Sequence, residues 1–584
     1  MRPWHLPSNM PSSESLSSLW TYWVPFYVGW RIWIANRMPL MDCDEVYNYW
    51  EPLHFLLYQN GFQTWEYANN YALRTYAYLT PLLEVSKIFQ IVIPYIPEPW
   101  WPLLTNHPVV TTSVQNLHLD GQSKVALFVL LRSFLAGLMA FAEVSFCKAI
   151  SVYNDEHYQK SSIISPRAVS LVTANLLLTS AGMAHASGAL LPSSTLTFLW
   201  LIAAAAFLRR NHFRFIIVAI IATLGIGWPF GVLMFVPLGL AVLVRERKHL
   251  LSLGFKILCI TISIQATVMY IDYQQYEEWV SPTWNIFIYN TRAGGDELYG
   301  IEPWTYYVKN LVLNFNYVAI VGIVCALPIS LLTKGSNIFL VLLSPMYLWL
   351  LVVGPRPHKE ERFLFTIYPC ICLGAAISTV LTTNLVYKKI RKRIPTPSTL
   401  LFIQAVIWTP ASVLSLSRAF ALSKYYTTPL YVYSQLQNEH NVVDSTICTC
   451  GEWYRFPSSF YLPTTIDSFG FVQSSFEGQL PQPFTPHGSG PNSTNKFNDK
   501  NLPENHSYTS IDDCDYLIDL WTSDCRENDS IWHPIAQGSF LDAERTATLH
   551  RTLYVPFLHE NAVMYGGVEY IDYVLYKKET EIDT

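Results

Sequence analysis

Apolar runs of membrane-spanning length recur along the first two-thirds of the chain and then stop. A helix that crosses a bilayer needs about 20 mostly apolar residues, with about 17 at the short end. By that measure spans fall at Leu19–Met38, Val125–Phe146, Ala168–Ala184, Leu196–Leu208, Phe215–Gly227, Val232–Val244, Phe255–Tyr270, Leu311–Leu332, Phe339–Val353, Phe363–Val386 and Leu400–Leu416. The expected class is a polytopic α-helical membrane protein of about eleven spans. The four short, closely joined runs between Ala168 and Val244 widen that count to between ten and thirteen. Tyr76–Tyr95, broken by Pro81, Glu84 and Lys87, reads as a further span or as a helix lying in the interface.

Charge placement gives the spans a direction. Basic residues concentrate in Arg209–Arg214, Arg245–Lys248 and Lys388–Arg393, with Lys334 alone in a fourth loop. Short basic loops stay cytoplasmic. Residues 1–18 then form a cytoplasmic N-terminus, read as leading into an uncleaved signal anchor, and 19–416 a multi-span domain. The long loops 39–123 and 272–310, and a soluble α/β domain at 417–584, fall on the opposite, lumenal side. Three Asn-X-Ser/Thr acceptors in that tail, at Asn492, Asn505 and Asn528, agree with this side. Cys448, Cys450, Cys514 and Cys525 lie in the same tail; in an oxidising lumen they would pair, in one of three ways that spacing does not choose between.

Composition changes the picture little. Residues are 51% hydrophobic and 14% charged, against roughly 25% charged in soluble domains, and mean hydropathy is +0.21. A net charge of −5 excludes a nucleic-acid partner on electrostatic grounds and leaves membrane lipids as the surroundings.

Candidate chemistry sits in the lumenal stretches. Met41–Pro52 reads MDCDEVYNYWEP and packs Asp42, Asp44, Glu45 and Glu51 among Tyr47, Tyr49 and Trp50, directly behind a membrane-length run. Carboxylates so placed need water or a polar cavity. Trp65, Glu66 and Arg74 continue this first loop; Trp304 lies in EPWTYY; and HKEERF supplies His358, Lys359, Glu361 and Arg362 between two spans. A basic cluster on the lumenal face calls for an anion, and Arg and Lys are suited to phosphate. Glu360 and Glu361 in the same run could equally make a salt-bridge network. A carboxylate as general base beside cations that stabilise a departing phosphate suits group transfer from a lipid phosphate. His185, Ser193 and Ser194 at one lumenal turn read as substrate contacts or as helix caps, and Gly227-Trp-Pro-Phe-Gly as a cavity lining or a bend. Arg132 and Glu143, about three turns apart in one span, read as structural partners of other helices.

HKEERF followed by a span, the Asp-Glu pair of the first loop and GWPFG resemble the dolichyl-phosphate-mannose-dependent mannosyltransferases of glycosyltransferase family 22. QTWEYANNYALRTYAYL, SPTWNIFIYN, YGIEPWTYY and GEWYRFPSSFYLP resemble the branch that adds α-1,2-linked mannose to the lipid-linked precursor of N-glycans. The resemblance implies the GT-C fold, in a multi-pass enzyme of the endoplasmic reticulum membrane with a lumenal active site. It implies dolichyl phosphate mannose as donor and dolichyl-diphosphate-linked Man6GlcNAc2 and Man8GlcNAc2 as acceptors, with inversion at the sugar carbon. Carried onto this sequence, it makes Asp44 the general base with Glu45 orienting it or the sugar, and His358, Lys359 and Arg362 the phosphate or acceptor contacts. Asp42, Tyr47, Trp50, Glu51, Trp65, Arg74, Trp304 and Glu361 are the expected substrate contacts. Asp42-Cys43 stands where several relatives carry His-Pro, so that histidine's role has no counterpart here. No cofactor is implied with certainty, and no ligand spacing demands a metal. A sister mannosyltransferase, making the α-1,6 linkage or acting on a glycosylphosphatidylinositol anchor, is the near alternative. A lipid or solute transporter is the distant one, though no repeated halves are visible.

Overall fold

The computed structural model describes residues 13–96, 123–153, 164–292, 296–439, 442–484, 497–521, 525, 529–548, 550–555 and 567–579. All eleven apolar stretches are helical over most of their length. Among the described residues four helices, Lys124–Val152, Arg247–Tyr276, Glu361–Arg391 and Pro397–Gln435, are long and apolar enough to cross a membrane, or six if each of two bent pairs counts as one span. Pro192–Leu208, His212–Gly225, Val236–Arg245 and Asn337–Val353 are apolar but shorter.

Two expected straight spans are broken. Ala168–Ala184 divides into Pro166–Thr179 and Ala181–Ser187, bent by 69°, and Leu311–Leu332 into Thr305–Phe315 and Tyr317–Leu332, bent by 117°. The second break sits at Asn316, whose φ of 46° no helix accepts. Its side chain caps the new helix by accepting from the Val318 amide, while its amide nitrogen donates to Ala411 O and Ser415 Oγ, each at 3.0 Å. The expected domain boundary at 416/417 also moves. The helix Pro397–Tyr426 runs through it in one piece and is followed by Thr428–Gln435. Nor is 272–310 a simple loop: it holds the end of Leu250–Tyr276, the helix Pro282–Thr291 and a short turn Asp296–Tyr299.

Arg247–Tyr276 buries only 11% of its apolar window, so its surface belongs to lipid. Within 76–95 the structure places one α-helix, Thr80–Val92, between the short 3-10 turns Tyr76–Tyr78 and Ile93–Tyr95. Its Ile88 and Ile91 are exposed, at 58% and 69%, which suits a helix lying at an interface.

A fully buried ion pair ties the first helix, Ser13–Ala35, to Ser123–Val152. Arg31 donates to both oxygens of Glu143, at 2.9 and 3.0 Å, and to Leu177 O at 2.7 Å. Arg132 closes the end of the first helix by donating to Ala35 O and Met38 O. Glu143→Gln strands the Arg31 charge. It is expected to lower stability by about 3 kcal/mol, read as thermal unfolding in detergent, with Arg31→Met/Glu143→Leu recovering most of the loss.

The C-terminal region forms one five-stranded sheet. β1 (Phe62–Gln63), from the first loop, pairs instead with β4 (Gln482–Pro483). β2 (Thr446–Thr449) runs parallel to β3 (Ser468–Phe471) and to β5 (Tyr516–Leu520). β5 then pairs antiparallel with β7 (Tyr570–Lys578), and β7 with β6 (Trp532–Leu541), for an order β3-β2-β5-β7-β6. Cys448–Cys514 and Cys450–Cys525 are the disulfides, chosen because β2 and β5 bring Cα atoms to 5.9 and 6.5 Å. Asn505 is exposed, while Asn492 and Asn528 lie outside the described residues.

Candidate active site

Asp42 starts the site. Its carboxylate accepts from the Asp44 amide at 3.0 Å and caps the single turn Cys43–Glu45. A π-type turn, Val46–Trp50, follows and leads into Glu51–Tyr58, which begins with Pro52 in its first turn. Such turns displace one residue out of register and recur at functional sites. Here the turn sets Asp44, Tyr47 and Tyr49 toward a cavity while Glu45 and Trp50 point into the core.

The cavity encloses about 430 Å³, within the range of ligand sites. Asp44, Glu66, Arg74, His358, Glu360 and Arg362 supply its charge; Tyr49, Trp65, Trp228, Tyr289, Tyr299 and Phe363 supply aromatic walls. Trp453, Phe476 and Leu480 close it from the C-terminal region. Aromatic faces with a few convergent charges suit a sugar ring attached to an anion.

Arg362 is the hub. It donates to Asp42 Oδ1 at 2.9 Å and pairs with Asp44 Oδ2 and Glu360. Asp44 keeps 34% of its side-chain exposure, and among the described residues Oδ1 is the oxygen left for a substrate hydroxyl. Arg74 donates to both oxygens of Glu66 at 2.8 and 3.1 Å and to Tyr49 Oη at 2.7 Å. Burial alone would raise the Asp44 carboxyl, but Arg362 and then Arg74 outweigh it and hold it below the usual range. Asp42 goes the other way: burial, with Glu360, Asp44 and Glu45 nearby, lifts it to about 7 against the pull of Arg362. His358 is raised chiefly by its hydrogen bond to Glu360, 2.9 Å away.

These shifts fix a pH dependence. With Asp42 lifted to about 7, its protonation is expected to draw Arg362 more fully onto Asp44, and its ionisation to share the guanidinium between the two. Turnover is expected to rise between about pH 6 and 8, and Asp42→Asn to flatten that rise in a pH–rate profile. The sign for stability is opposite. A raised folded pKa contributes stability that is full below the ordinary carboxylate value and is lost as pH climbs through about 7.

Several expected contacts lie elsewhere. Glu45, 2% exposed, accepts from Trp50 Nε1 at 2.9 Å and the Leu190 amide at 3.0 Å, so it frames the turn and does not line the cavity. Trp50 is sealed against Phe128, with centroids 4.4 Å apart. Glu51 is fully buried and binds Ser458, Ser459 and the Phe62 amide. The Lys359 ammonium is held by the carbonyls of Glu302 (2.9 Å) and Arg356, away from the cavity. Glu361 accepts from Asn314 Nδ2 at 2.7 Å outside the lining, and Trp304 is exposed at 71% beyond it. Asp42 stands behind Arg362, not on the cavity wall. Tyr47, Trp65, Arg74, His358 and Arg362 do line it.

Glu66, Glu360 and Tyr289 are lining residues that the sequence did not single out as contacts, while Ser193 and Trp228, read from sequence as a contact or cap and as a lining or bend, also line the cavity. Trp228 had a signal in GWPFG, and it both lines and bends. Gly227 has φ +67°, and a Cβ there would lie 2.4 Å from Thr75 Cγ2. Asp42, Cys43 and Asp44 bring ligand atoms within 4.8 Å of one another, but Arg362 already pairs with one oxygen of each carboxylate, so a divalent cation there would compete with it.

A profile of the Alg9-like mannosyltransferase family matches residues 20–463. The chain belongs to that family. The match takes in the acidic turn, the Arg362 cluster and Trp453, so the cavity falls almost wholly inside it. The chain is 33% identical to the α-1,2-mannosyltransferase ALG9 of Arabidopsis thaliana over 547 residues, 92% of this chain and 88% of the plant protein. To that of Schizosaccharomyces pombe it is 32% identical over 624 residues, covering 99% and 98%. To human ALG9 it is 33% identical over 569 residues, covering 92% and 86%. As an Alg9-like protein it is a membrane glycosyltransferase that moves mannose.

Proposed function

We propose that the protein transfers mannose from dolichyl phosphate β-D-mannose to dolichyl-diphosphate-linked Man6GlcNAc2 and Man8GlcNAc2, forming α-1,2 bonds with inversion. The observation that carries this reading is one half-exposed carboxylate, Asp44, facing an aromatic cavity that also holds two guanidiniums, in an Alg9-like chain. Relatives similar over nearly the whole chain are named α-1,2-mannosyltransferases.

The acceptor hydroxyl gives its proton to Asp44 as its oxygen bonds to the mannose anomeric carbon. The bond from that carbon to the donor phosphate oxygen breaks, and its electron pair leaves with the lipid phosphate. Attack from the face opposite the phosphate turns the β donor into an α product. Arg362 holds Asp44 ionised, Arg74 and Glu66 fix Tyr49 beside it, and the aromatic walls exclude water from the transfer. The reading places the cavity and C-terminal region in the endoplasmic reticulum lumen. Two disulfides suit an oxidising compartment, and Asn505 is exposed for modification.

The test is transfer by purified protein given dolichyl phosphate mannose and lipid-linked acceptors of six or eight mannoses. Extension of both, removable by an α-1,2-specific mannosidase, is the expected result. Folded protein that extends neither acceptor overturns the substrate assignment.

A further inference from the structure

The helix Pro192–Leu208 begins at the cavity wall, and the protein leaves its first turn unfinished. Leu191 occupies the N-cap, where Ser, Thr, Asp or Asn would accept from the first free amides, and no side chain caps this end. Pro192 has no N–H to satisfy, but Ser193 and Ser194 follow it. Bulk water does not serve them, because both serines are only 3% exposed. Ser193 Oγ and Ser194 Oγ find no hydrogen-bond partner among the described residues. Buried hydroxyls without partners are rare in native folds, and an uncapped buried helix end is rarer still.

Ser193 lines the same cavity as Asp44 and Arg362, and its helix packs against the turn Glu361–Ile367 that carries Arg362. A helix N-terminus is positive in its field and presents N–H donors, so it favours an anion. The cavity needs such donors. Both of its guanidiniums are engaged by carboxylates, Arg362 by Asp42, Asp44 and Glu360 and Arg74 by Glu66. Lys359 is turned onto backbone carbonyls. The carboxylates outnumber the guanidiniums they engage, so an incoming phosphate meets no uncommitted cation among them, whereas the Ser193 hydroxyl at this helix end is held by nothing among the described residues.

We infer that Ser193 and the amino end of the helix Pro192–Leu208 form a phosphoryl subsite that takes the phosphate of a lipid-linked sugar substrate. The inference rests on the transfer reading above and deepens it. When the bond between sugar and phosphate breaks, the electron pair stays on the phosphate oxygen, and the Ser193 hydroxyl and helix amides donate to that growing charge.

The experiment is equilibrium binding of two probes, a polyprenyl monophosphate and a polyprenyl diphosphate, to wild type, Ser193→Ala and Ser193→Thr in detergent, followed by tryptophan fluorescence. Ser193→Ala is expected to weaken at least one probe about tenfold, and Ser193→Thr, which keeps the hydroxyl, to restore it. Loss confined to the monophosphate assigns the subsite to the donor; loss confined to the diphosphate assigns it to the acceptor. Wild-type affinity for both probes in Ser193→Ala overturns the subsite and leaves ordered water as its occupant. Should Ser193→Ala fail to fold, Ser193→Cys, nearly isosteric but a weak donor, reads the same loss. Binding needs no turnover, so the two readings fail separately. Phosphate lipids bound through Ser193 without mannosyl transfer would defeat only the transfer reading, and transfer with binding indifferent to Ser193 only this one.

Discussion

Asp44→Asn is expected to lower mannosyl transfer by about 10²–10⁴-fold while the protein stays folded and inserted. The amide keeps the size of the carboxylate and an oxygen for Arg362, so the frame made by Asp42, Glu45 and the Val46–Trp50 turn should hold. What disappears is the capacity to take a proton from the acceptor hydroxyl. The loss should fall on turnover more than on the donor concentration needed, because Asp44 meets the hydroxyl and not the phosphate. Rates near wild type would move the role to Asp42, since Glu45 is sealed in the core.

Glu51→Ala is expected to lower stability by about 5 kcal/mol and to abolish measurable transfer through loss of fold. The carboxylate accepts four hydrogen bonds: from Ser458 Oγ (2.7 Å), the Ser459 amide (2.6 Å), Ser459 Oγ (2.7 Å) and the Phe62 amide (2.9 Å). Hydrogen bonds to a charged acceptor contribute about 1.5–3 kcal/mol each, less when taken together, and truncation strands buried donors. Thermal unfolding in detergent measures the loss. A Glu51→Ala protein with wild-type melting and a raised substrate requirement would return Glu51 to the substrate-binding role that its position in the first loop suggests.

Two kinds of information were unequally legible in the chain. Hydropathy located helical stretches well, because a lipid-facing or buried helix must be apolar along its length whatever it packs against. It could not show that Asn316 turns the chain through a break, since the cause is one residue's backbone and the partners it finds at Ala411 and Ser415. In the site, Asp44 and Arg362 were legible as a carboxylate and a cation in one compartment. Glu51 and Lys359 have the same residue types, and only direction separates them: one carboxylate and one ammonium turn inward onto protein groups. For Glu51 direction is set by the π-type turn and by Ser458 and Ser459, 407 and 408 positions away. For Lys359 it is set by the carbonyls of Glu302 and Arg356, and neither shows in residue type. Ser193 was legible only as one of two alternatives, a substrate contact or a cap. A serine in the first turn of an apolar helix reads as a cap, and here it caps nothing.

The clasp between Glu51 and Ser458–Ser459 joins positions 407 and 408 residues apart. During synthesis the acidic turn emerges early and waits, through almost every helix of the bundle, for the residues that complete its wall. A growing chain therefore carries the acidic turn long before it carries the residues that hold Glu51 and close the cavity behind it. A chain cut short before Ser458 would lack three of the four hydrogen bonds that hold Glu51.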